Sequence, residues 1–236
     1  MPNPFRRSAV AGAGPLVTAS LLCLLILSLT APHAIAQDST PPPTPFQRLM
    51  DHVDVALSVA GSLTSSTSGT EQRDRTGLGI TASSTAGELF TLRYVAKPYV
   101  GFEFNFGNSR TTQNYTFAPP TLDVLPGGAQ TGNHELTLGY VAHLRSFYTL
   151  SPYLGAGGGT LRFKPTPTGG EGLPFQYRAV YYYNGGLDYT VPGSHFGVRV
   201  GFRQLIYLAP DFQQNYLTIT RRVRTSEPTF GFFLRF

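Results

Sequence analysis

The sequence is poor in charge and in cysteine, and it has no tryptophan. Only 13% of its 236 residues are charged, about half the usual share of a soluble domain. The single cysteine, Cys23, has no second cysteine in the chain with which to form a disulfide. After residue 36, no apolar run approaches the ~18 residues of a transmembrane helix. These shortages exclude a disulfide-stapled secreted module and a helical membrane domain.

Glycine and aromatic residues are abundant instead, with 26 Gly, 17 Phe and 13 Tyr. Phe and Tyr favour strands, and much of this content falls at alternating positions. The formal net charge is +5, but the basic residues are scattered. A nucleic-acid-binding surface needs a basic stripe or patch. We therefore expect no nucleic-acid partner.

The amino-terminal residues have the pattern of a secretory signal peptide. Arg6 and Arg7 supply positive charge, Leu16–Leu29 is apolar, and Ala34–Ala36 is a small-x-small cleavage site. The apolar segment is shorter than the ~20 residues of a spanning helix. We predict a cleaved signal peptide over 1–36. A Pro-rich, extended periplasmic linker is predicted over 37–50.

Residues 51–236 are predicted to form one β domain, because apolar and polar residues alternate with the period of a strand. In the clearest segment, Val100, Phe102 and Phe104 share one face. Gly101, Glu103 and Asn105 share the other. The predicted strands cover 53–62, 78–96, 99–113, 134–147, 153–164, 175–191, 195–207 and 226–236.

Short and long connections alternate along this domain. The predicted tight turns are Lys97-Pro98, Ser146–Pro152 and Pro192-Gly193, and the predicted long loops are 63–76, 114–133, 164–174 and 208–225. Transmembrane barrels have this arrangement, with short periplasmic turns and long external loops. We predict an all-β fold, an eight-stranded antiparallel transmembrane barrel with an up-and-down meander.

Glycine indicates which face of the strands is turned to lipid. Seven glycines share the face that carries the charges: Gly101, Gly107, Gly139, Gly186, Gly197, Gly201 and Gly231. A narrow, crowded lumen suits small and charged residues, whereas large apolar side chains suit lipid. The fifth predicted strand has no clear facing, because Gly155 and Gly157–Gly159 remove the contrast between its faces.

The closing segment Thr229–Phe236 resembles the final strand of bacterial outer-membrane barrels. Residues 53–236 as a whole resemble the small eight-stranded OmpA/OmpX-type family. Arg93-Tyr94, Pro98 and Gly101–Glu103 also look like a recurrent porin-like outer-membrane family. The resemblance implies an outer-membrane location, lipid and lipopolysaccharide as surroundings, and a monomer. It also implies an assembly signal that the outer-membrane assembly machinery reads, at Thr229, Gly231, Leu234 and Phe236.

Seven charged residues are predicted to point into the lumen: Arg93, Glu103, Glu135, Arg178, Asp188, Arg199 and Arg203. Charges in a narrow interior must be paired or hydrated. One interpretation is a static polar network in a structural barrel that supports membrane integrity. The other is a plug that rearranges and passes small ions weakly.

Two further functions are open at this stage. The loops at 114–133 and 208–225 are long enough for an adhesin or recognition barrel, and Arg221, Arg222 and Arg224 are candidate contacts for lipopolysaccharide phosphates.

A lipopolysaccharide-modifying enzyme would draw on His134, His143, His195, Ser194 and Glu135. Sequence neighbours on a strand point to opposite faces, so the adjacent Ser194 and His195 make a poor nucleophile–base pair. We expect no enzyme activity, no cofactor and no metal.

Overall fold

The structure is a computed structural model that describes residues 44–72, 77–97, 99–118, 128–214 and 217–236. It contains the helix α1 (Pro45–Met50) and eleven strands. The strands are β1 (Val53–Thr64), β2 (Thr67–Glu71), β3 (Gly77–Ala82), β4 (Thr85–Lys97), β5 (Val100–Ala118), β6 (Ala129–His143), β7 (Leu150–Pro165), β8 (Gln176–Thr190), β9 (Phe196–Leu208), β10 (Leu217–Thr218) and β11 (Arg222–Arg235). The predicted signal peptide lies outside the described residues and stays a prediction.

Part of the predicted linker is helical. Thr44 and Gln47 form a reciprocal capping box, and Pro45 occupies the start of α1. Both features favour a helix start, so the expected extended conformation is wrong for Pro45–Met50. The linker residues 37–43 lie outside the described residues. Among the described residues, no helix is long and apolar enough to cross a membrane.

Eight strands close into a barrel: β1, β4, β5, β6, β7, β8, β9 and β11. Each pairs antiparallel with its neighbours, and β1 pairs with both β4 and β11. The closing register places Val55 opposite Leu234 and Val59 opposite Phe230. Closure leaves no exposed edge on the ring. The predicted eight-stranded meander is confirmed.

Short connections lie at one end of the barrel, which we call the turn end, and longer ones at the other, the loop end. Pro192-Gly193 forms the predicted tight turn at the turn end, with Gly193 at φ 73°. Pro98 lies outside the described residues, so the Lys97-Pro98 turn is described only in part. By the rule for outer-membrane barrels, the turn end is periplasmic and the loop end external.

Additional strands at the loop end replace predicted loops. The sheet continues from β5 to β3, β2 and β10, so the predicted loop 63–76 contains the end of β1 and all of β2. The predicted strand 78–96 is divided between β3 and β4. The segment Thr67–Thr70 pairs with β3 through its backbone, which needs no alternation of apolar side chains.

The other long loops are also shorter than expected. β5 continues to Ala118 and β6 begins at Ala129, while residues 119–127 lie outside the described residues. The predicted loop 208–225 contains β10 and the first four residues of β11, at the loop end of that strand. These strand ends contain Asn114, Thr116, Thr131 and Asn133, which are residue types that favour loops, and composition alone therefore misplaced the boundaries.

Within the part of the barrel that lipid would surround, large apolar residues face outward and polar residues face inward. Val59 and Leu138 are 60% and 59% exposed, whereas Glu103 is 0% exposed. This confirms the predicted facing. The same exposures give the facing of β7, in which Tyr153 and Leu161 point inward and Leu154 points outward. The apolar belt and closed backbone hydrogen bonding meet the requirements of a bilayer.

The seam between β1 and β11 depends on a glycine. A Cβ at Gly231 would overlap Ser58 Oγ and the carbonyl oxygen of Leu57. At the turn end of the same seam, the backbone N–H of Phe236 donates to the carbonyl oxygen of Val53 at 3.2 Å. Gly231 is therefore required for the close approach of these strands. The assembly role of Thr229, Gly231, Leu234 and Phe236 stays a prediction.

We predict that Gly231→Ala destabilises the folded barrel by about 1–3 kcal/mol, because the added methyl group overpacks the closing seam. Urea titration in lipid vesicles, with heating-shift electrophoresis to report the folded fraction, measures the change. Gly132→Ala is the matched control, since a Cβ there has no atom closer than 3.9 Å. Equal stability of the two variants would contradict the prediction.

Candidate functional site

The half of the lumen nearest the turn end holds an ion-pair network that crosses the barrel. Arg93 lies 2.6 Å from Glu103 and 3.6 Å from Asp188. Arg199 lies 2.7 Å from Asp188 and 3.1 Å from Asp54. The strand register explains these pairs, because Arg93 is directly opposite Glu103 and Asp188 is directly opposite Arg199. Cross-strand neighbours of opposite charge stabilise one another.

Glu103 is the acceptor at the centre of the network. Asn105 donates to it at 2.9 Å, Asn184 at 2.7 Å and Tyr182 at 3.3 Å. With Arg93, these groups satisfy both carboxylate oxygens inside the protein. A buried carboxylate remains charged only when it has such partners.

A second group lies nearer the middle of the barrel, around Arg203. Its guanidinium is 2.5 Å from Glu135 and 3.1 Å from Glu227. A void of about 30 Å³ adjoins these three side chains and is also lined by Ser62 and Asn133. That volume is sufficient to hold water.

Aromatic rings pack between the guanidinium groups. Arg93 lies 4.0 Å and Arg199 5.5 Å from the ring centre of Tyr153. Arg203 lies 5.1 Å from the ring centre of Tyr182. Gly139 and Gly157 leave the space that the Tyr182 ring occupies. The network is therefore packed as well as paired.

Arg235 lies at the turn-end mouth of the lumen. It is 3.8 Å from both Asp54 and Asp188, and its side chain is 37% exposed. Its inward direction agrees with the alternation along β11.

Six of the seven predicted lumen residues belong to these two groups, and Arg178 does not. Arg178 instead lies at the loop end, 2.7 Å from Asp211. Sequence reasoning missed several members of the network: Asp54, Asn105, Tyr153, Tyr182, Asn184 and Glu227. Asp54 and Glu227 lie on the inward alternation of β1 and β11, and this signal could have identified them.

The loop-end third of the interior holds an apolar cluster that the expected polar lumen does not include, beside the buried polar residues Thr111, Gln113, Thr131 and Asn133. The cluster consists of Leu78, Ile80, Tyr115, Ala129, Leu161, Phe163, Val180, Tyr182, Leu205, Tyr207, Ala209, Phe212, Leu217 and Val223. On the outside of β5 at this level, Arg110 and Thr116 are exposed. The outer face of β5 is thus polar at this level and the interior is partly apolar, which is a partial inversion relative to the belt below. This inversion is what a barrel surrounded by water requires.

The segment 209–214 covers the loop-end mouth. Phe212 is buried in the apolar cluster with φ 49°, and the hydroxyl of Tyr115 donates to the carbonyl oxygen of Pro210 at 2.8 Å. The side-chain oxygen of Gln176 accepts from the backbone N–H groups of Asp211 and Phe212, each at 3.0 Å. We call residues 209–214 the cap.

Asp211 fastens the cap to β8. Gln176 donates to it at 2.6 Å, and Arg178 lies 2.7 Å away. Partial burial acts to raise the pKa of Asp211, but the hydrogen bonds from Gln176 and Arg178 outweigh burial and hold that pKa below its ordinary value.

The three arginines predicted to contact lipopolysaccharide are all exposed. Arg221 precedes β11, and Arg222 and Arg224 project from its outer face near the loop end. The guanidinium of Arg222 lies 5.5 Å from the ring centre of Tyr181.

The residues considered for catalysis are dispersed. Ser194 donates to the carbonyl oxygens of Val191 and Phe196, and His195 contacts the carbonyl oxygen of Arg235 at 2.9 Å. Ser194 and His195 lie in the turn before β9, whereas the predicted strand began at His195. Glu135 is paired with Arg203 in the lumen. The structure brings together no nucleophile and base among these candidates.

Comparison with solved structures identifies the fold. The outer membrane protein OprG from Pseudomonas aeruginosa is 14% identical, with a TM-score of 0.57 over 78% of this chain and 95% of that chain. Neisserial surface protein A is 14% identical, with a TM-score of 0.50 over 78% of this chain and 97% of that chain. This chain has the fold of a small outer-membrane β-barrel. The predicted porin-like, OmpA/OmpX-type architecture and outer-membrane location agree with both neighbours. No protein-family model and no curated protein matches the chain.

We predict that Glu103→Gln costs about 3–5 kcal/mol of folding free energy, because it leaves the buried Arg93 without its main counter-charge. Urea titration in lipid vesicles checks this value. Glu88→Gln, at an exposed position, is the matched control and should stay within about 0.5 kcal/mol of the wild type. A change in Glu103→Gln no larger than in the control would refute the importance of the pair.

The lowered pKa of Asp211 predicts a pH-dependent cap. The charged form of Asp211 stabilises the folded cap at pH values above its ordinary pKa of 3.8. This stabilisation is lost as pH falls through the lower pKa that Asp211 has in the folded protein. Because the chain has no tryptophan, Phe212→Trp supplies a unique fluorescent reporter. We expect its emission to move to longer wavelength on acidification below pH ~4. The same shift should be present at neutral pH in Phe212→Trp with Asp211→Asn. An emission maximum that changes neither with pH nor with Asp211→Asn would contradict the role of Asp211 in holding the cap.

Proposed function

We propose that this protein is a structural outer-membrane barrel that supports membrane integrity, with a lumen closed to solutes and at most weakly conducting to small ions. The observation that carries the proposal is the continuous filling of the interior. The side chains of Arg93, Arg199 and Arg203 are each at most 4% exposed, and each pairs with carboxylates on other strands.

Two barriers of different chemistry lie in series along the lumen. An ion entering from the turn end meets guanidinium and carboxylate groups that already satisfy one another, and displacing them would expose buried charge at a cost of several kcal/mol. An ion entering from the loop end first meets the apolar cluster beneath Phe212, where it would lose its hydration. The static interpretation therefore has more support than a rearranging plug.

The recognition alternative has less support. The predicted recognition loop 208–225 is largely committed to the barrel, because Ala209, Phe212 and Leu217 are buried in the apolar cluster. In the second loop, β5 continues to Ala118 and β6 begins at Ala129, and residues 119–127 are not described. We also propose that the protein is not an enzyme, since the nucleophile and base candidates are separated.

The proposed surroundings are the lipids and lipopolysaccharide of the outer membrane. The outer belt of apolar residues suits acyl chains, and exposed basic residues near the loop end suit phosphates. We further propose a monomer, assembled through recognition of β11.

Planar-bilayer recording of pure refolded protein tests the closed lumen. We expect no stable conductance steps from the wild type at neutral pH, because both barriers are intact. Asp54→Asn with Arg199→Gln removes a lumen pair, and Arg48→Gln with Arg145→Gln makes a double change at exposed positions as the matched control. Reproducible wild-type steps that are altered by the lumen variant, and unaltered by the control, would refute a closed barrel.

A further inference from the structure

We propose that the outer faces of β5, β6 and β7 form a binding site for the phosphorylated headgroup of an outer-leaflet lipid. The site consists of Arg110, His134, Arg162 and Lys164, arranged around Gly132, and we call it the cationic patch. It is separate from the arginines of β11. It requires the outer-membrane location but does not depend on whether the lumen conducts.

The strand register assembles the cationic patch. Arg110 is directly opposite Gly132, and Gly132 is directly opposite Lys164. One residue pair nearer the membrane belt, His134 is directly opposite Arg162. Adjacent strands lie about 4.8 Å apart, so Arg110 and Lys164 are separated by roughly 10 Å across β6. Two long basic side chains at this separation can converge on one phosphate group.

Gly132 leaves the space between these cations open. A Cβ at this position would have the His134 ring nitrogen Nε2 and the Lys164 carbonyl oxygen as its nearest atoms, both at 3.9 Å. A depression of about 530 Å³ on the outer surface begins at Gly132 and Arg110 and continues over Ala86 and Gly87. The depression therefore provides room for a headgroup beside Arg110, and Lys164 lies on the other side of Gly132.

The charges of the patch are not neutralised within the described chain. Among the described residues, no carboxylate forms an ion pair with Arg110, Arg162 or Lys164. Arg162 is held instead against aromatic rings, 5.1 Å from the centre of Phe175 and 5.7 Å from that of Tyr177. Glu88 is the acidic residue that lines the depression, on the side away from β7. The arginines of the lumen, in contrast, all have carboxylate partners.

The position of the patch selects a lipid over a soluble anion. Toward the turn end, Asn108 follows Arg110 on the outer face of β5, and Phe106 and Leu136 then begin the apolar belt. Cations at this boundary lie at the depth of the headgroups of the external leaflet. A lipid whose acyl chains pack against Phe106 and Leu136 would place its phosphate at Arg110 and Lys164, where charge-assisted hydrogen bonds to phosphate form.

The test uses the full-length mature barrel in phosphatidylcholine nanodiscs that contain either phosphorylated or dephosphorylated lipid A. Native mass spectrometry measures the retained lipid, and a thermal melt measures stabilisation. Wild-type protein should retain phosphorylated lipid A and lose this preference when the phosphates are removed. Arg110→Gln with Lys164→Gln should bind roughly twentyfold more weakly, since each basic residue near an anionic surface contributes about fivefold.

Two further variants make the result specific. Arg48→Gln with Arg145→Gln changes net charge equally at exposed positions near the turn end and should bind like the wild type. Gly132→Glu places a carboxylate between the cations and should abolish the preference while leaving the barrel folded by heating-shift electrophoresis. Unchanged binding in Gly132→Glu and in the Arg110/Lys164 variant would overturn the site. Full competition by millimolar inorganic phosphate would overturn the assignment to a lipid.

Discussion

The narrow interior of an eight-stranded barrel is the constraint on which the rest of the structure depends. At this strand number the lumen is only wide enough for side chains, so an inward charge must find its counter-charge within the barrel. Arg93 and Arg199 meet this requirement by pairing with the residue directly opposite and by sharing Asp188. Strand register and charge pairing therefore depend on each other, because a shift in register between β4 and β5 or between β8 and β9 would separate the charged pair that those strands carry.

The polarity of the inward and outward side chains changes along the barrel axis, in line with a change of surroundings from lipid to water. In β5, Phe104 faces outward while Glu103 and Asn105 face inward. Further along the same strand, Arg110 faces outward and Tyr115 is buried within. The inversion marks where lipid gives way to water. Beyond it the barrel folds as a soluble protein does, around an apolar core that the cap completes.

This inversion explains what could and could not be predicted from the sequence. Alternation in segments such as Val100–Phe106 was sufficient for strand number, facing and closure, because lipid-exposed strands contrast strongly between faces. The same rule gave the inward direction of Glu103 and Arg199. It failed at the loop end, where Thr67–Thr70 pairs through its backbone. It also did not identify the partner of Arg178, since Asp211 is brought near only by the folding of the cap.

The distribution of charge between the two surfaces follows from the same geometry. The acidic residues of the inward face are Asp54, Glu103, Glu135, Asp188 and Glu227. The charged residues of the outer face above the apolar belt are mostly arginine and lysine. Carboxylates inside are stabilised by guanidinium groups that span a lumen of matching width. Outside, a carboxylate at headgroup depth would face anionic lipid, while a long basic side chain can extend its charge to the phosphates. Closure brings the inward acids within reach of Arg93, Arg199 and Arg203, whereas among the described residues no carboxylate forms an ion pair with the outward Arg110, Arg162 and Lys164.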